Sequence, residues 1–234
     1  MRSITKRLKS LKWKYILGEI TLIVLGILIA VQINNWNEHR KSRRFEKQIM
    51  EEIYQTLEKE LAVIGSRIER CETIEKATAE VYQQLGDAVP LTDGLQRSFW
   101  LCNWVVFYQP QTIAFERLRA KGIELVSDDQ LRLDLLHLHD FLYPLVQSFT
   151  NRLNAWSETD LKPYAQTHFR IEAETSTKKI YIPLDYQNLL ENPLFRNLVL
   201  DKQSRTKDMR YHLKRVEEQI KLLMDQIEEE YNFK

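Results

Sequence analysis

Residues 15–36 read YILGEITLIVLGILIAVQINNW, an apolar run whose one charge is Glu19. As a helix rising about 1.5 Å per residue, a run of this length reaches about 33 Å, enough to cross a hydrocarbon core of about 30 Å. The sequence therefore predicts a transmembrane helix over 15–37, behind a basic arm at 1–14, with 38–234 as the domain it tethers to a lipid bilayer. A cleaved signal peptide is the competing reading. Against it, the run exceeds the roughly 7 to 15 residues of a signal core, and Leu28-Ile29-Ala30 lacks the second small residue of a peptidase site. Trp13, Tyr15 and Trp36 bracket the run where amphipathic rings settle at headgroup level. Glu19 lies near its basic end, away from the costly bilayer centre.

Lys and Arg are nearly balanced across the run: Arg2, Lys6, Arg7, Lys9, Lys12 and Lys14 precede it, and Arg40, Lys41, Arg43, Arg44 and Lys47 follow. The short arm is purely basic while a long domain translocates largely regardless of charge, so the expected arrangement is N-terminus inside and domain outside. No second hydrophobic stretch follows, which keeps the C-terminus on the domain's side. Within the run, Gly26 and Ala30 form a small-xxx-small pair, with Gly18 two turns earlier on a similar face. Such a face lets helices approach closely and makes a homo-oligomer one expectation; the other is that small residues are simply frequent in membrane helices.

The net charge of +1 hides an asymmetry. Residues 1–47 hold 11 of the 34 Lys/Arg and 3 of the 33 Asp/Glu, leaving 23 against 30, or −7, on 48–234. An acidic domain is a poor nucleic-acid binder, and the basic flanks read better as contacts to anionic lipid. Cys71 and Cys102 are the only cysteines. An outside location permits a disulfide, apolar surroundings favour plain core thiols, and no Cys or His sits nearby at zinc spacing.

Residues 48–85 contain no proline, and Met50, Tyr54, Leu57, Leu61, Ile64, Ile68, Cys71, Thr78, Tyr82 and Leu85 keep a 3-4 spacing, with Glu75 the one break. This predicts a long helix with a coiled-coil-like seam, continuous with the transmembrane helix as a rod of over ~100 Å. Gly86, Pro90 and Gly94 end it. Residues 99–108, FWLCNWVVFY, are the most aromatic stretch and too short to span a membrane. Read as a helix, Trp100, Trp104 and Tyr108 share a face at four-residue steps, with Phe99 and Phe107 beside it. That face is either buried core or a ligand or partner surface.

A helix from Thr112 stops at Gly122, and Ser127 with Gln130 forms a capping box that opens the next. Leu131, Leu135, Leu138 and Leu142 line one face of it, and Pro144 kinks it without ending it. Asp134, His137, His139 and Asp140 invite a metal reading. A di-iron bundle, however, needs two Glu-x-x-His helices and two more carboxylates, so these side chains are expected to be solvated or hydrogen-bonded. Residues 169–172 and 179–182 alternate around the polar run 174–177, as in a small hairpin or an exposed loop. Asn192-Pro193 opens a closing helix with Met209, Leu213, Val216, Ile220, Leu223 and Ile227 at 3-4 spacing. The fold class is all-α: a long-helix bundle whose first and last helices are antiparallel neighbours, with one possible hairpin.

The run GEITLIVLGILIAVQINNWNEHRK (18–41) resembles the opening of a bacterial membrane-protein family described only as a domain of unknown function. FERLRAKGIELVSDDQLRLDLL (115–136), NPLFRNLV (192–199) and the acidic close at 226–231 resemble its later blocks, while the aromatic stretch and 162–186 have no counterpart in it. The resemblance implies a single-span, mostly helical protein, and supplies no activity or catalytic residue; the expected location is the bacterial inner membrane. The six glycines never cluster into a phosphate loop, and neither G-x-S-x-G nor H-E-x-x-H occurs. The chain is thus not expected to be an enzyme or to need a cofactor. The leading expectation is a membrane-anchored interaction or scaffold module that meets a protein partner or itself. The alternative is a sensor-like bundle that binds a small molecule near 99–108. In either case the full chain should stay in the membrane pellet after alkaline carbonate and high salt, because screening charge does not undo apolar burial. Its appearance in the carbonate supernatant would refute the anchor.

Overall fold

A computed structural model describes residues 2–87, 89–173, 175 and 178–232, without the side chains of 2–12, 14, 16, 86 and 87. Of the polar run 174–177, only Thr175 lies within the described residues. The helices are α1 (Arg2–Asp87), α2 (Asp93–Cys102), α3 (Ile113–Lys121), α4 (Asp129–Leu136), α5 (Tyr143–Trp156), α6 (Lys162–His168), α7 (Tyr186–Glu191) and α8 (Pro193–Tyr231). One antiparallel hairpin, β1 (Phe169–Ala173) and β2 (Lys179–Pro183), pairs Phe169 with Pro183 and Ala173 with Lys179. The fold is all-α with a small hairpin, as the sequence predicts. The chain divides into two compact units, Met1–Ile49 and Met50–Lys234.

In the first unit, α1 carries an apolar stretch long enough to cross a membrane, and none of that stretch is buried. Leu22 and Ile23 are 72% and 58% exposed, so among the described residues of this unit nothing covers the stretch. A Cβ added at Gly18 or Gly26 would meet nothing within 4 Å. Ala30 is exposed as well.

In the second unit, α1 and α8 run antiparallel, as expected. Tyr54 donates to the Glu228 carboxylate. Arg210 grips Glu75 through Nε and Nη2 at 2.7 and 2.9 Å, and Arg196 donates to the Tyr82 hydroxyl at 2.9 Å. Positions that rise along α1 therefore meet positions that fall along α8. On α8, Met209, Leu213, Val216, Ile220, Leu223 and Ile227 are all fully buried. The α1 seam differs from the sequence reading at four steps. Ile53, Glu60, Ile74 and Val81 are buried, whereas Tyr54, Leu61, Glu75 and Tyr82 are not. Glu75 is accordingly no break: Ile74 holds the seam while Glu75 pairs with Arg210 on its flank. Near the helix end, Ala77, Val81 and Leu85 join a core of Phe99, Phe169 and Phe195 with residues of α6, α7 and α8.

Helical structure continues from 129 to 168 through two π turns, His137–Leu142 and Ser157–Leu161. Each lies just ahead of a proline, Pro144 or Pro163. A proline has no N–H for the preceding turn and crowds the carbonyl four residues back, and a wider turn accommodates both. Pro144 thus bends the helix without ending it, and Leu131, Leu135, Leu138 and Leu142 are buried as predicted. The N-cap of α4 is Asp128, whose Oδ1 accepts from Leu131 N at 2.6 Å, and not Ser127. A carboxylate is a stronger acceptor than a hydroxyl at a helix start, which favours the shift by one residue. Asn192 caps α8 as expected, accepting from the N–H groups of Leu194 and Phe195. Gly122 takes φ of 112°, which a side chain would strain, and closes α3.

Cys71 and Cys102 are free and buried, with thiol pKa values pushed up to about 12 by burial. His139 is not solvated. It is buried, stacked on Phe115 at 3.8 Å, and held down to a pKa of about 3 by burial and by Arg119. His137 is exposed and stacks on Phe141 at 5.3 Å. Asp134 accepts from Gln130 and Gln226 at 2.9 and 2.8 Å, and Asp140 pairs with Arg119.

The seam assignment has a direct thermodynamic consequence. Ile74→Ala should cost about 2–5 kcal/mol, as for a fully buried aliphatic residue, while half-buried Leu61→Ala should cost clearly less. Denaturant unfolding followed by circular dichroism tests this, and equal losses would restore the sequence-derived seam.

Candidate functional site

The aromatic stretch does not form one helix. α2 begins at the Thr92 cap, whose hydroxyl accepts from Leu95 N, and ends at Cys102, where Asn103 Nδ2 donates to Phe99 O at 3.0 Å. Residues 105–112 are neither helix nor strand. Three successive carbonyls here are taken by side chains from three helices. Lys202 Nζ of α8 donates to Trp104 O at 2.7 Å, Arg70 Nε of α1 to Val105 O at 2.7 Å, and Asn154 Nδ2 of α5 to Val106 O at 3.3 Å. A backbone supplied with donors in this way can be buried without helix or sheet pairing. The expected common face of Trp100, Trp104 and Tyr108 is therefore corrected: two of the three share a wall, and Tyr108 lies elsewhere.

Trp100 and Trp104 are half-buried and meet edge to face, centroids 5.1 Å apart and planes at 90°. They line a cavity of about 760 Å³ together with Arg70, Arg97, Leu101, Asn103, Lys178, Lys179 and Tyr181. The Arg70 guanidinium lies 4.4 Å from the Trp104 ring centroid. Its pKa is lowered by burial and then by neighbouring Arg67. The hairpin supplies the rest of the lining: β2 packs against α2, and Thr175 N donates to Lys178 O at 3.1 Å. Among the described residues, no lining side chain is acidic. Volumes of about 300–1,000 Å³ are typical of small-molecule sites.

Tyr108 is 1% exposed and faces Tyr143, centroids 6.4 Å apart, in the core. Burial raises its pKa, and nearby Tyr143 and Glu60 add to the rise. Glu60, also buried, has its pKa raised by burial and partly restored by Tyr108 and the Gln111 N–H. Glu60 Oε1, Tyr108 Oη, Tyr143 Oη and His139 Nδ1 are buried without a well-formed hydrogen bond among the described residues, although Glu60, Tyr108 and Tyr143 lie close enough to shift one another's titration. A second cavity, about 540 Å³, is bordered by His139 and Tyr143 with Pro110, Thr112, Gln147 and Asn151. The four polar atoms are sealed from it, so they belong to the interior and not to a ligand wall. Among the described residues, no cluster of His, Cys, Asp and Glu could hold a metal ion.

Sequence reasoning named Trp100 and Trp104 but missed Arg70, Lys178, Lys179 and the positioning residue Lys202. The one local signal was the Lys178-Lys179 pair at a hairpin end. A family model described as a family of unknown function (DUF6090) matches residues 19–87. The resemblance carried by 18–41 falls in this match except for Gly18, whereas the blocks at 115–136, 192–199 and 226–231 lie beyond it. No curated protein and no solved structure matches the chain. Arg70 is in the matched segment; the rest of the cavity wall is not.

Lys202 is fully buried, and burial lowers its pKa to about 8. Between pH ~8 and the unfolded value of ~10.4, the unfolded chain holds a proton that the folded chain releases, so this group makes stability rise with pH across that window. Lys202→Met should abolish that contribution and strand Trp104 O, at a cost of about 1–3 kcal/mol. The difference in unfolding free energy between wild type and variant should therefore widen in favour of wild type as pH rises through the window. A difference independent of pH would contradict the depressed lysine.

Proposed function

We propose that the chain is a single-pass protein of the bacterial inner membrane whose helical domain, outside the cytoplasm, receives a small acidic ligand at the Trp100–Trp104 cavity. The cavity carries this reading: a site-sized concavity walled by two indoles and by basic side chains, on a domain that is acidic as a whole. An acidic domain gains nothing for folding by gathering cations on one wall, whereas an anionic ligand gains attraction and orientation from them. The anchor reading draws its support from the uncovered apolar stretch of α1 and its flanking basic residues. Together these features favour the sensor-like alternative over a scaffold without a ligand. A bilayer partner holds the chain, and a protein partner would carry any signal inward.

The test is thermal unfolding of the full chain in mild non-ionic detergent against a panel of acidic, neutral and basic aromatic compounds. Acidic members should raise the melting temperature by mass action. Trp104→Ala should remove that rise while costing less than the roughly 3–5 kcal/mol of a fully buried aromatic truncation. Stabilisation that survives in the variant would place the ligand elsewhere.

A further inference from the structure

Residues 50–234 carry 23 Lys/Arg against 30 Asp/Glu, yet the cavity wall gathers Arg70, Lys178 and Lys179, with Arg97 beside them. None of the first three has a carboxylate within ion-pairing distance among the described residues. Arg70 is held in one orientation, its Nε given to Val105 O at 2.7 Å and its plane laid on Trp104. Its terminal nitrogens carry no hydrogen bond to the described residues. A guanidinium fixed by its stem and open at its fork is suited to two parallel hydrogen bonds from an oxyanion. An anion there would also offset the two influences now acting on this group, partial desolvation and the charge of Arg67. On the hairpin side of the cavity, the hydrogen bonds between Thr175 and Lys178, 3.1 and 3.0 Å, set the backbone that carries the two lysines.

Charge alone does not account for the space. A bare oxyanion is comparable to two or three water molecules at about 30 Å³ each. The cavity is about 760 Å³. What remains is bounded by Trp100, Leu101, Trp104 and Tyr181. The two indoles stand at 90° and form a right-angled apolar corner. Such a corner takes one flat body, its face on one ring and its edge on the other.

Resting on the ligand-binding reading above, we propose that the cavity binds an aryl oxyanion: a flat ring system bearing a phosphate or carboxylate group. The oxyanion sits between the Arg70 fork and the Lys178 and Lys179 ammonium groups, and the ring fills the Trp100–Trp104 corner.

The experiment is calorimetric titration of the full chain in non-ionic detergent, with matched detergent blanks, using 1-naphthyl phosphate, 1-naphthoate, 1-naphthol and inorganic phosphate. One or both aryl anions should bind about tenfold or more tighter than naphthol and than inorganic phosphate, as expected when a charge-assisted pair and ring burial act together. Which aryl anion leads identifies phosphate or carboxylate as the head. The double substitution Lys178→Gln with Lys179→Gln, on exposed side chains, should shrink the advantage over naphthol, as should Arg70→Gln. Because Arg70 also supports Val105, the lysine variant decides if Arg70→Gln fails to fold. Naphthol binding as tightly as the aryl anions would overturn the oxyanion and leave the cavity a ligand site. Inorganic phosphate binding as tightly would overturn the ring. Heat from none of the four would end the aryl-oxyanion proposal, and if no member of the wider panel stabilises the chain either, the ligand-binding reading falls with it.

Discussion

Three consecutive carbonyls, those of Trp104, Val105 and Val106, organise the second unit. A chain segment with no helix or strand partners can enter a helical interior only if other groups hydrogen-bond its backbone. Lys202, Arg70 and Asn154 do so from α8, α1 and α5. The same bonds tie those helices to a common strut and fix the two ends of the aromatic stretch in different surroundings. Trp104 is left at a cavity wall, and Tyr108 is drawn into the core beside Tyr143. Lys202 is buried without a carboxylate partner among the described residues, and its desolvation is the cost of this strut.

The interior is more polar than a plain helical bundle requires. Glu60, Thr78, Thr150, Ser157, Lys202 and Thr206 are all buried, and several occupy seam positions. Thr78, Thr150 and Thr206 bond back to carbonyls four residues earlier on their own helices, so they need no partner across the core. Glu60 is different: one carboxylate oxygen has no well-formed hydrogen bond among the described residues, and burial favours its neutral form. Its proximity to Tyr108 and Tyr143 makes the centre of the bundle a place where protonation and packing are linked.

On α8 every seam position from Met209 to Ile227 is apolar, and the periodic reading matches the structure throughout. On α1 one buried position is Glu60, which an apolar template passes over in favour of Leu61; at the other differing steps an apolar residue sits beside the one the template takes, Ile53 before Tyr54, Val81 before Tyr82, and Ile74 before the supposed break at Glu75. The end of α2 was illegible for another reason. Rings at 100, 104 and 108 have helical spacing, while the groups that hold the backbone out of the helix come from positions 70, 154 and 202. Ser127 and Asp128 are both competent caps one residue apart, and local preference alone does not separate them. The cavity was legible by its aromatic half only, since Trp100 and Trp104 are near neighbours in sequence. Its basic half joins residues about a hundred positions apart.

The two π turns carry a consequence for how this chain tolerates change in length. A π turn fits about one residue more than an α turn into nearly the same angle, so the surplus is absorbed locally and the flanking helix keeps almost the phase of an uninterrupted one. Leu131 and Leu135 before the first turn, and Val146, Thr150 and Leu153 after it, are buried in the same interior. Deleting a single residue from 137–142 would convert the turn to regular α geometry while leaving Val146 and Leu153 inward and Asn154 within reach of Val106. Elsewhere in the helix the same deletion would turn everything after it by about 100°, so each π turn is a place where the run can change length by one residue without its two halves losing alignment.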